Sequence, residues 1–188
     1  DVVQTISAEL QRSARAMSSG RNRPVDPPVL RYIASVDLLA GHPSYEASQT
    51  LLFHLLQRQV EGTAWRALQG AIARSSNAAL TDGLLACIEL ADEHPSPTVA
   101  AAAEVLGLRR ERSAVPALLR LCAPDSHPIS RKAAIIALGR IGDRDVVEDI
   151  LPSLDESSLA EQGALSLLML GDRRGVDFHA QALAESRQ

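Results

Sequence analysis

The chain has 188 residues and a formal net charge of −4, and it holds 29 Ala and 27 Leu against only five aromatic residues. Ala and Leu lead the helix scale whereas strands favour β-branched and aromatic residues, which excludes a mostly β fold. An apolar fraction of 46% excludes intrinsic disorder. No apolar run is long enough to predict a membrane span, and the net acidity gives no general attraction to nucleic acid.

The first 18 residues predict one amphipathic helix, with Val3, Leu10 and Met17 among the apolar positions of its buried face. The Pro-rich stretch 19–27 predicts a linker. Helix 1–18 is therefore expected to cap the fold or to flank it, and residues 28–188 are expected to form one repeat domain. The chain starts at Asp1 rather than at Met, which indicates a trimmed chain.

Paired aliphatic residues recur along the rest of the chain at intervals of about one helical hairpin. Leu51-Leu52, Leu84-Leu85, Leu118-Leu119 and Ile150-Leu151 are successive examples. An apolar helix precedes each pair, which predicts four αα-hairpins, and Gly171-Asp172, which repeat Gly142-Asp143, indicate a fifth. The predicted hairpins are residues 28–59, 61–93, 95–123, 128–154 and 158–185.

The fourth hairpin shows the local signals most clearly. Its first half has alanines and isoleucines at helical spacing, and Gly142 is expected to end this helix, since glycine adopts the left-handed conformation without a Cβ clash. Asp143 is then expected to cap the second helix, because a carboxylate accepts from free amide groups. Gly171 and Asp172 repeat this pair in the fifth hairpin.

The fourth hairpin resembles a HEAT-like repeat of the short bacterial type named for phycobilin lyase subunits. The matching positions are Pro128, Arg131, Ala134, Ala137, Leu138, Gly139, Gly142, Asp143, Ile150, Leu151 and Asp155. The third hairpin has Arg110-Glu111 in place of Gly-Asp, and the first two match in aliphatic spacing only. The resemblance implies an all-α solenoid of about five stacked hairpins. Similar repeats occur in scaffolds, lyase subunits and a few DNA glycosylases, so fold alone does not choose a function.

The sequence offers no catalytic, metal-binding or cofactor-binding constellation, so no cofactor is predicted. It contains no phosphate-binding glycine motif and no nucleophile elbow. The steps His42-Pro43, His94-Pro95 and His127-Pro128 are interpreted as helix-start turns rather than as a shared metal site. Cys87 and Cys122 are too few for a disulfide framework and are expected to be buried thiols.

Charge placement is the most informative functional feature. Residues 109–144 hold eight basic and three acidic residues, and the stretches on both sides are acidic. This basic band predicts a surface for an acidic partner. The predicted partner-binding residues are Arg66, Arg109, Arg110, Arg112, Arg131, Lys132, Arg140 and Arg144. The alternative is a structural role, because in similar repeats the arginine that corresponds to Arg131 bonds the turn aspartate of a neighbouring unit.

These observations predict a non-enzymatic, cytoplasmic scaffold that presents the concave side of a solenoid to a partner protein. Trp65 and Arg66 are candidate contacts, although the spacing of Trp65 from Leu68 and Ile72 favours a core position for the tryptophan. One alternative is an enzyme subunit, either bilin-lyase-like or a HEAT-like DNA glycosylase. Another is anion or nucleic-acid binding through the basic band. The sequence leaves the oligomeric state open.

Overall fold

The computed structural model describes residues 2–18, 26–93 and 96–185, and within them every regular element is helical. The first helix of the chain is α1, Val2–Met17. The first helices of the five hairpins are α2 (Pro27–Ala40), α4 (Gly62–Arg74), α6 (Ser96–Arg109), α8 (Pro128–Ile141) and α10 (Ala160–Met169). The second helices are α3 (Tyr45–Gln57), α5 (Ala78–Glu89), α7 (Val115–Leu121), α9 (Val147–Ile150) and α11 (Arg173–Glu185). The prediction of an all-α fold of five helical hairpins is confirmed.

The chain divides into two compact units, unit 1 (residues 1–87) and unit 2 (residues 88–188). In unit 1, α2 packs against α1, α3 and α4. Arg31 of α2 pairs with Glu9 of α1 at 3.3 Å, and the hydroxyls of Ser7 and Thr50 join α1 to α3 at 3.1 Å. Helix α1 therefore packs on the first hairpin. Most of the predicted linker lies outside the described residues, and its last residue, Pro27, begins α2.

In unit 2, the first helices of three hairpins lie side by side, with α8 packed between α6 and α10. The packing is close because small residues meet at the crossings. A Cβ added to Gly107 of α6 would lie 2.7 Å from the Cα of Ala137 in α8. One added to Gly139 of α8 would lie 2.7 Å from the Cα of Ser166 in α10. The Ser166 hydroxyl also donates to the carbonyl of Ile135 at 2.7 Å, which ties α10 to α8.

The turns inside the hairpins of unit 2 share one geometry. Gly142 ends α8 with φ 80°, and the Asp143 carboxylate accepts from the amide of Asp145 at 3.1 Å, so both predictions for this turn are confirmed. Arg110 takes the left-handed place in the third hairpin, with φ 53°, and the Glu111 carboxylate accepts from the amide of Ser113. The geometry is therefore kept where the sequence has Arg-Glu instead of Gly-Asp.

The second helix of the fourth hairpin differs from the single helix expected. α9 ends at Ile150 and continues as a 3-10 helix, Leu151–Asp155. Pro152 is responsible, because it has no N–H to donate to the preceding turn. The Ser153 hydroxyl donates to the carbonyl of Ile150 at 2.6 Å, so the tighter turn keeps its acceptor satisfied. In the described part of the chain, no helix has the length and apolar character needed to cross a bilayer.

Unit 1 contains a buried pair of polar rings. His54 of α3 and Tyr32 of α2 are both fully buried, and their ring centroids are 5.8 Å apart. Neither ring nitrogen of His54 nor the hydroxyl of Tyr32 has a hydrogen-bond partner among the described residues. Burial lowers the pKa of His54 from 6.5 to about 4, so the imidazole is neutral at physiological pH.

Substitution of Gly139 tests the close packing of the first helices. We expect Gly139→Ala to lower the free energy of unfolding of the full chain by about 1–3 kcal/mol, since the new methyl group meets backbone atoms that cannot move aside. Gly70→Ala in α4 is the matched control, because only the end of the Arg74 side chain lies near the added carbon. The control should be stabilising by about 0.5–1 kcal/mol through helix propensity. Chemical denaturation measures both, and equal effects would contradict the packing.

His54 makes the fold sensitive to acid. Below pH 6.5 the unfolded chain takes up a proton that folded His54, with a pKa of about 4, does not accept. The contribution of His54 to the free energy of unfolding is therefore complete above pH 6.5 and is lost as the pH falls toward 4. The total loss is up to about 3 kcal/mol. We expect His54→Leu to lose less stability than the unchanged chain between pH 7 and pH 4.5, as measured by denaturant unfolding. Parallel losses in the two chains would show that His54 does not titrate this way.

Candidate functional site

The basic band lies in unit 2, and the structure divides its side chains into two groups. One group is engaged within the fold, and the other has no hydrogen bond or ion pair to any described residue. The two groups are interleaved along the chain, so position in the sequence does not show to which group a cation belongs.

Arg131 is engaged by two partners. Its guanidinium donates to both carboxylate oxygens of Glu156, at 2.8 and 2.7 Å, and its Nε donates to the carbonyl of Cys122 at 3.3 Å. The Arg131 side chain is only 11% exposed. The hydrogen bonds from Arg131 lower the pKa of Glu156. Arg131 thus links the third and fourth hairpins. The resemblance implies the turn aspartate of a neighbouring unit as its carboxylate partner, but the partner is Glu156, which follows the second helix of the fourth hairpin.

Arg144 and Arg174 connect the fourth and fifth hairpins. Arg144 donates from Nε to the carbonyl of Leu170 at 3.0 Å and from a terminal nitrogen to that of Gly171 at 3.4 Å. Arg174 donates to Asp172 at 2.8 Å and to Glu148 at 3.0 Å. The hydrogen bonds from Arg174 lower the pKa of Asp172 to about 2. Arg144 therefore serves the stacking of hairpins, although it belongs to the predicted binding set.

The remaining band cations divide further by exposure. Arg110 and Arg112 are exposed near the end of α6, Lys132 and Arg140 are half-buried on α8, and Arg120 is exposed on α7. None of these five side chains is paired with another described residue. Arg109 is different, because it is half-buried with further interactions, and desolvation lowers its pKa.

Arg66 belongs to unit 1, where it is exposed on α4. Its neighbour Trp65 is half-buried, and the guanidinium of Arg58 lies 5.1 Å from the centroid of its ring. Leu68 and Ile72 are fully buried, so the tryptophan stands at the edge of the core rather than within it. A cation over an aromatic face is a stabilising arrangement, which gives Trp65 a local structural role.

A groove of about 390 Å³ lies at the ends of the first helices of unit 2. Its lining residues are Gly107, Leu108, Arg110, Gly139, Arg140, Gly142 and Met169. Two unpaired cations of the band therefore come together here, beside two apolar side chains. Sequence reasoning named both arginines but missed the groove, because nothing in the spacing of residues shows that three helix ends are aligned.

A second cavity of unit 2, about 350 Å³, is lined by Cys122, Arg131, Glu156 and Asp149 among others. Burial raises the pKa of the Cys122 thiol to about 12 and that of Cys87 to about 11, which opposes thiolate formation. The prediction of buried thiols holds for Cys87, and Cys122 is half-buried. Both cysteines are free thiols.

The histidine–proline steps act as helix-start turns where the structure describes them. The Nδ1 atom of His127 accepts from the amide of Ile129 at 3.2 Å and so caps α8. The Nδ1 atom of His42 lies 3.0 Å from the hydroxyl of Ser44, the residue that caps α3. The step at 94–95 lies outside the described residues. Within the described ranges, no three His, Cys, Asp or Glu side chains are grouped so as to hold a metal ion.

Removal of Arg131 tests its structural role. We expect Arg131→Gln to lower the free energy of unfolding by about 1–3 kcal/mol, the range for losing hydrogen bonds to a charged group. Lys132→Gln is the control, because it removes the neighbouring unpaired cation and should change stability by less than about 0.5 kcal/mol. The double variant with Glu156→Gln should cost less than the sum of the two single variants. Thermal or chemical denaturation gives all four values, and additivity of the pair would contradict the contact.

Comparison with known proteins agrees with the hairpin pattern. Residues 81–169 match the family model for HEAT repeats. No curated protein matches the chain. HEAT repeats are commonly scaffolds for protein interaction and are typically not enzymes. The short bacterial subtype stays a prediction, whereas the all-α solenoid class is confirmed, and residues 81–169 of the chain are therefore HEAT-like repeats.

Proposed function

We propose that the chain is a non-enzymatic scaffold that binds a partner protein along its stacked hairpins. In HEAT-like proteins the second helices line the concave side of the stack, and we propose that the partner contacts this side together with the first-helix ends and turns that carry most of the unpaired cations. Because of the basic band, the partner protein is proposed to be acidic. The scaffold is proposed to act in the cytoplasm, where its two free cysteines would stay reduced.

The unpaired cations of unit 2 carry the proposal. Arg131, Arg144 and Arg174 all have partners within the fold, whereas five cations of the band remain without one among the described residues. These five are Arg110, Arg112, Arg120, Lys132 and Arg140. Cations that have no acidic partner within the fold attract a partner surface of opposite charge, which speeds association.

The other residues of the predicted partner-binding set have a smaller part in the proposed surface. They are Arg66, Arg109, Arg131 and Arg144. Arg131 and Arg144 are used between hairpins, and Arg109 has interactions of its own. Arg66 remains a separate candidate on unit 1. The acidic partner is therefore proposed to meet unit 2 through the five unpaired cations.

Nucleic acid is the competing ligand for the same cations, because phosphates also pair with arginine and lysine. A DNA glycosylase additionally needs aromatic side chains near its basic surface to hold an exposed base. Phe178 is the one aromatic residue in the sequence of unit 2, which favours a protein partner over this enzyme class. Nuclease treatment of the extract distinguishes the two kinds of ligand.

Affinity capture with the full chain tests the proposed function. We expect the chain to retain an acidic protein from a nuclease-treated extract, and the complex to form again from the two purified proteins. Replacement of the five unpaired cations by Gln should weaken that complex at least about tenfold, whereas Arg12→Gln with Arg15→Gln on α1 should leave it unchanged.

Two results would contradict the scaffold proposal. One is capture that disappears after nuclease treatment, which would identify a nucleic acid as the ligand. The other is a reconstituted complex that is insensitive to loss of all five cations, which would remove the basis for an acidic partner. Calorimetry of the purified pair at two salt concentrations measures both the affinity and its electrostatic part.

A further inference from the structure

The groove at the helix ends has a floor that is fixed by the fold. α6 meets α8 at Gly107, and α8 meets α10 at Gly139, so closely that neither glycine position has room for a side chain. The last turns of the first helices therefore leave a depression instead of filling it. Its volume of about 390 Å³ lies within the usual range for ligand-binding clefts.

The walls of the groove are apolar at two points. Leu108, just before the end of α6, is 42% exposed, and Met169, the last residue of α10, is 40% exposed. Methionine adapts its shape to different apolar partners, which suits a binding surface. A ligand that enters the groove can therefore remove apolar surface of both side chains from water.

The two arginines of the groove are available for a ligand. Arg110 and Arg140 have no hydrogen bond or ion pair to another described residue, unlike Arg131 and Arg144. The nearest acidic residues along the chain make other contacts, since Glu111 accepts from Ser113 and Asp143 accepts from the amide of Asp145. A guanidinium group binds a carboxylate in a bidentate manner, so either arginine of the groove can receive a carboxylate of a ligand.

The ends of the helices favour a peptide over a free anion. The last carbonyls of a helix have no partner within it, and they carry partial negative charge. In unit 2 the carbonyls of Leu106, Gly107 and Leu138 already accept from backbone amides of the turns. The partial negative charge of the helix ends opposes a small dianion such as phosphate more strongly than it opposes a single carboxylate. The apolar walls likewise favour a ligand with an apolar side chain beside its carboxylate.

We propose that this groove docks an acidic segment of the partner protein, with a carboxylate paired to Arg110 and Arg140 and an apolar side chain against Leu108 and Met169. The proposal rests on the scaffold function above and names the part of the surface that recognises the partner. It also explains why the third hairpin has an arginine at the left-handed position where the next two have glycine, since Arg110 places a cation at the rim.

A titration of the full chain followed by NMR tests this docking site. The probe is a short synthetic peptide of repeating Glu-Glu-Leu units. We expect the amide signals of Gly107, Gly139 and Gly142 to shift, and those of Gly41 and Gly83 in unit 1 to stay in place. Peptides of Gln-Gln-Leu and Glu-Glu-Ser units should produce much smaller shifts, because each lacks one half of the recognition.

Matched variants separate the groove from the rest of the basic band. Arg110→Glu with Arg140→Glu should weaken binding of the Glu-Glu-Leu peptide by at least about tenfold, whereas Arg112→Glu with Arg120→Glu, of equal charge change, should weaken it by less than about threefold. Leu108→Ser should also weaken binding, and Ile129→Ser on α8 serves as its exposed apolar control. Circular dichroism checks that each variant remains folded.

Several outcomes would overturn the docking site. Glycine signals that do not shift, equal losses in the two charge-reversed chains, or displacement of the peptide by low concentrations of inorganic phosphate would each do so. The last result would identify an anion site instead of a peptide groove. If the docking site fails but binding of the captured partner protein is still weakened by substitution of Arg112 and Arg120, the scaffold function stands and only the proposed peptide groove is wrong. If no partner depends on any band cation, the scaffold proposal fails as well.

Discussion

Close contact between the first helices is the constraint on which unit 2 depends. Gly107 meets Ala137 and Gly139 meets Ser166 so closely that a single added carbon cannot be placed without moving backbone atoms. Small residues let α6, α8 and α10 lie side by side, so the apolar faces of successive hairpins are buried against each other. The same closeness aligns the ends of these helices. The groove is thus a consequence of the packing that stabilises the stack.

Polar ties then hold the hairpins in place. Arg131 spans the third and fourth hairpins, and Arg144 and Arg174 span the fourth and fifth. Arg131 and Arg144 are cations that the sequence alone groups with the others of the basic band, whereas Arg174 lies outside it. The fold therefore divides one charged stretch into cations that stabilise the stack and cations that have no partner in the described part of the chain. Function is proposed only for the second group.

Local signals in the sequence predict a large part of this fold. Gly142 and Asp143 predict the end of one helix and the cap of the next, because both depend on backbone conformation within a few residues. Contacts between distant residues are less accessible. The pairing of Arg131 with Glu156 depends on how helices pack, which no spacing shows. The same holds for the burial of His54 without a hydrogen-bond partner among the described residues. The groove is of this kind too, since it joins residues from three helices.

Hydrogen–deuterium exchange of the full chain with its purified partner tests the central claim most directly. The claim is that the aligned ends of α6 and α8, with their unpaired arginines, are where the partner is recognised. The account predicts slower exchange in peptides covering residues 107–112 and 139–143 when the partner is bound, and unchanged exchange in α1. Protection confined to unit 1, or none at these helix ends, would contradict it.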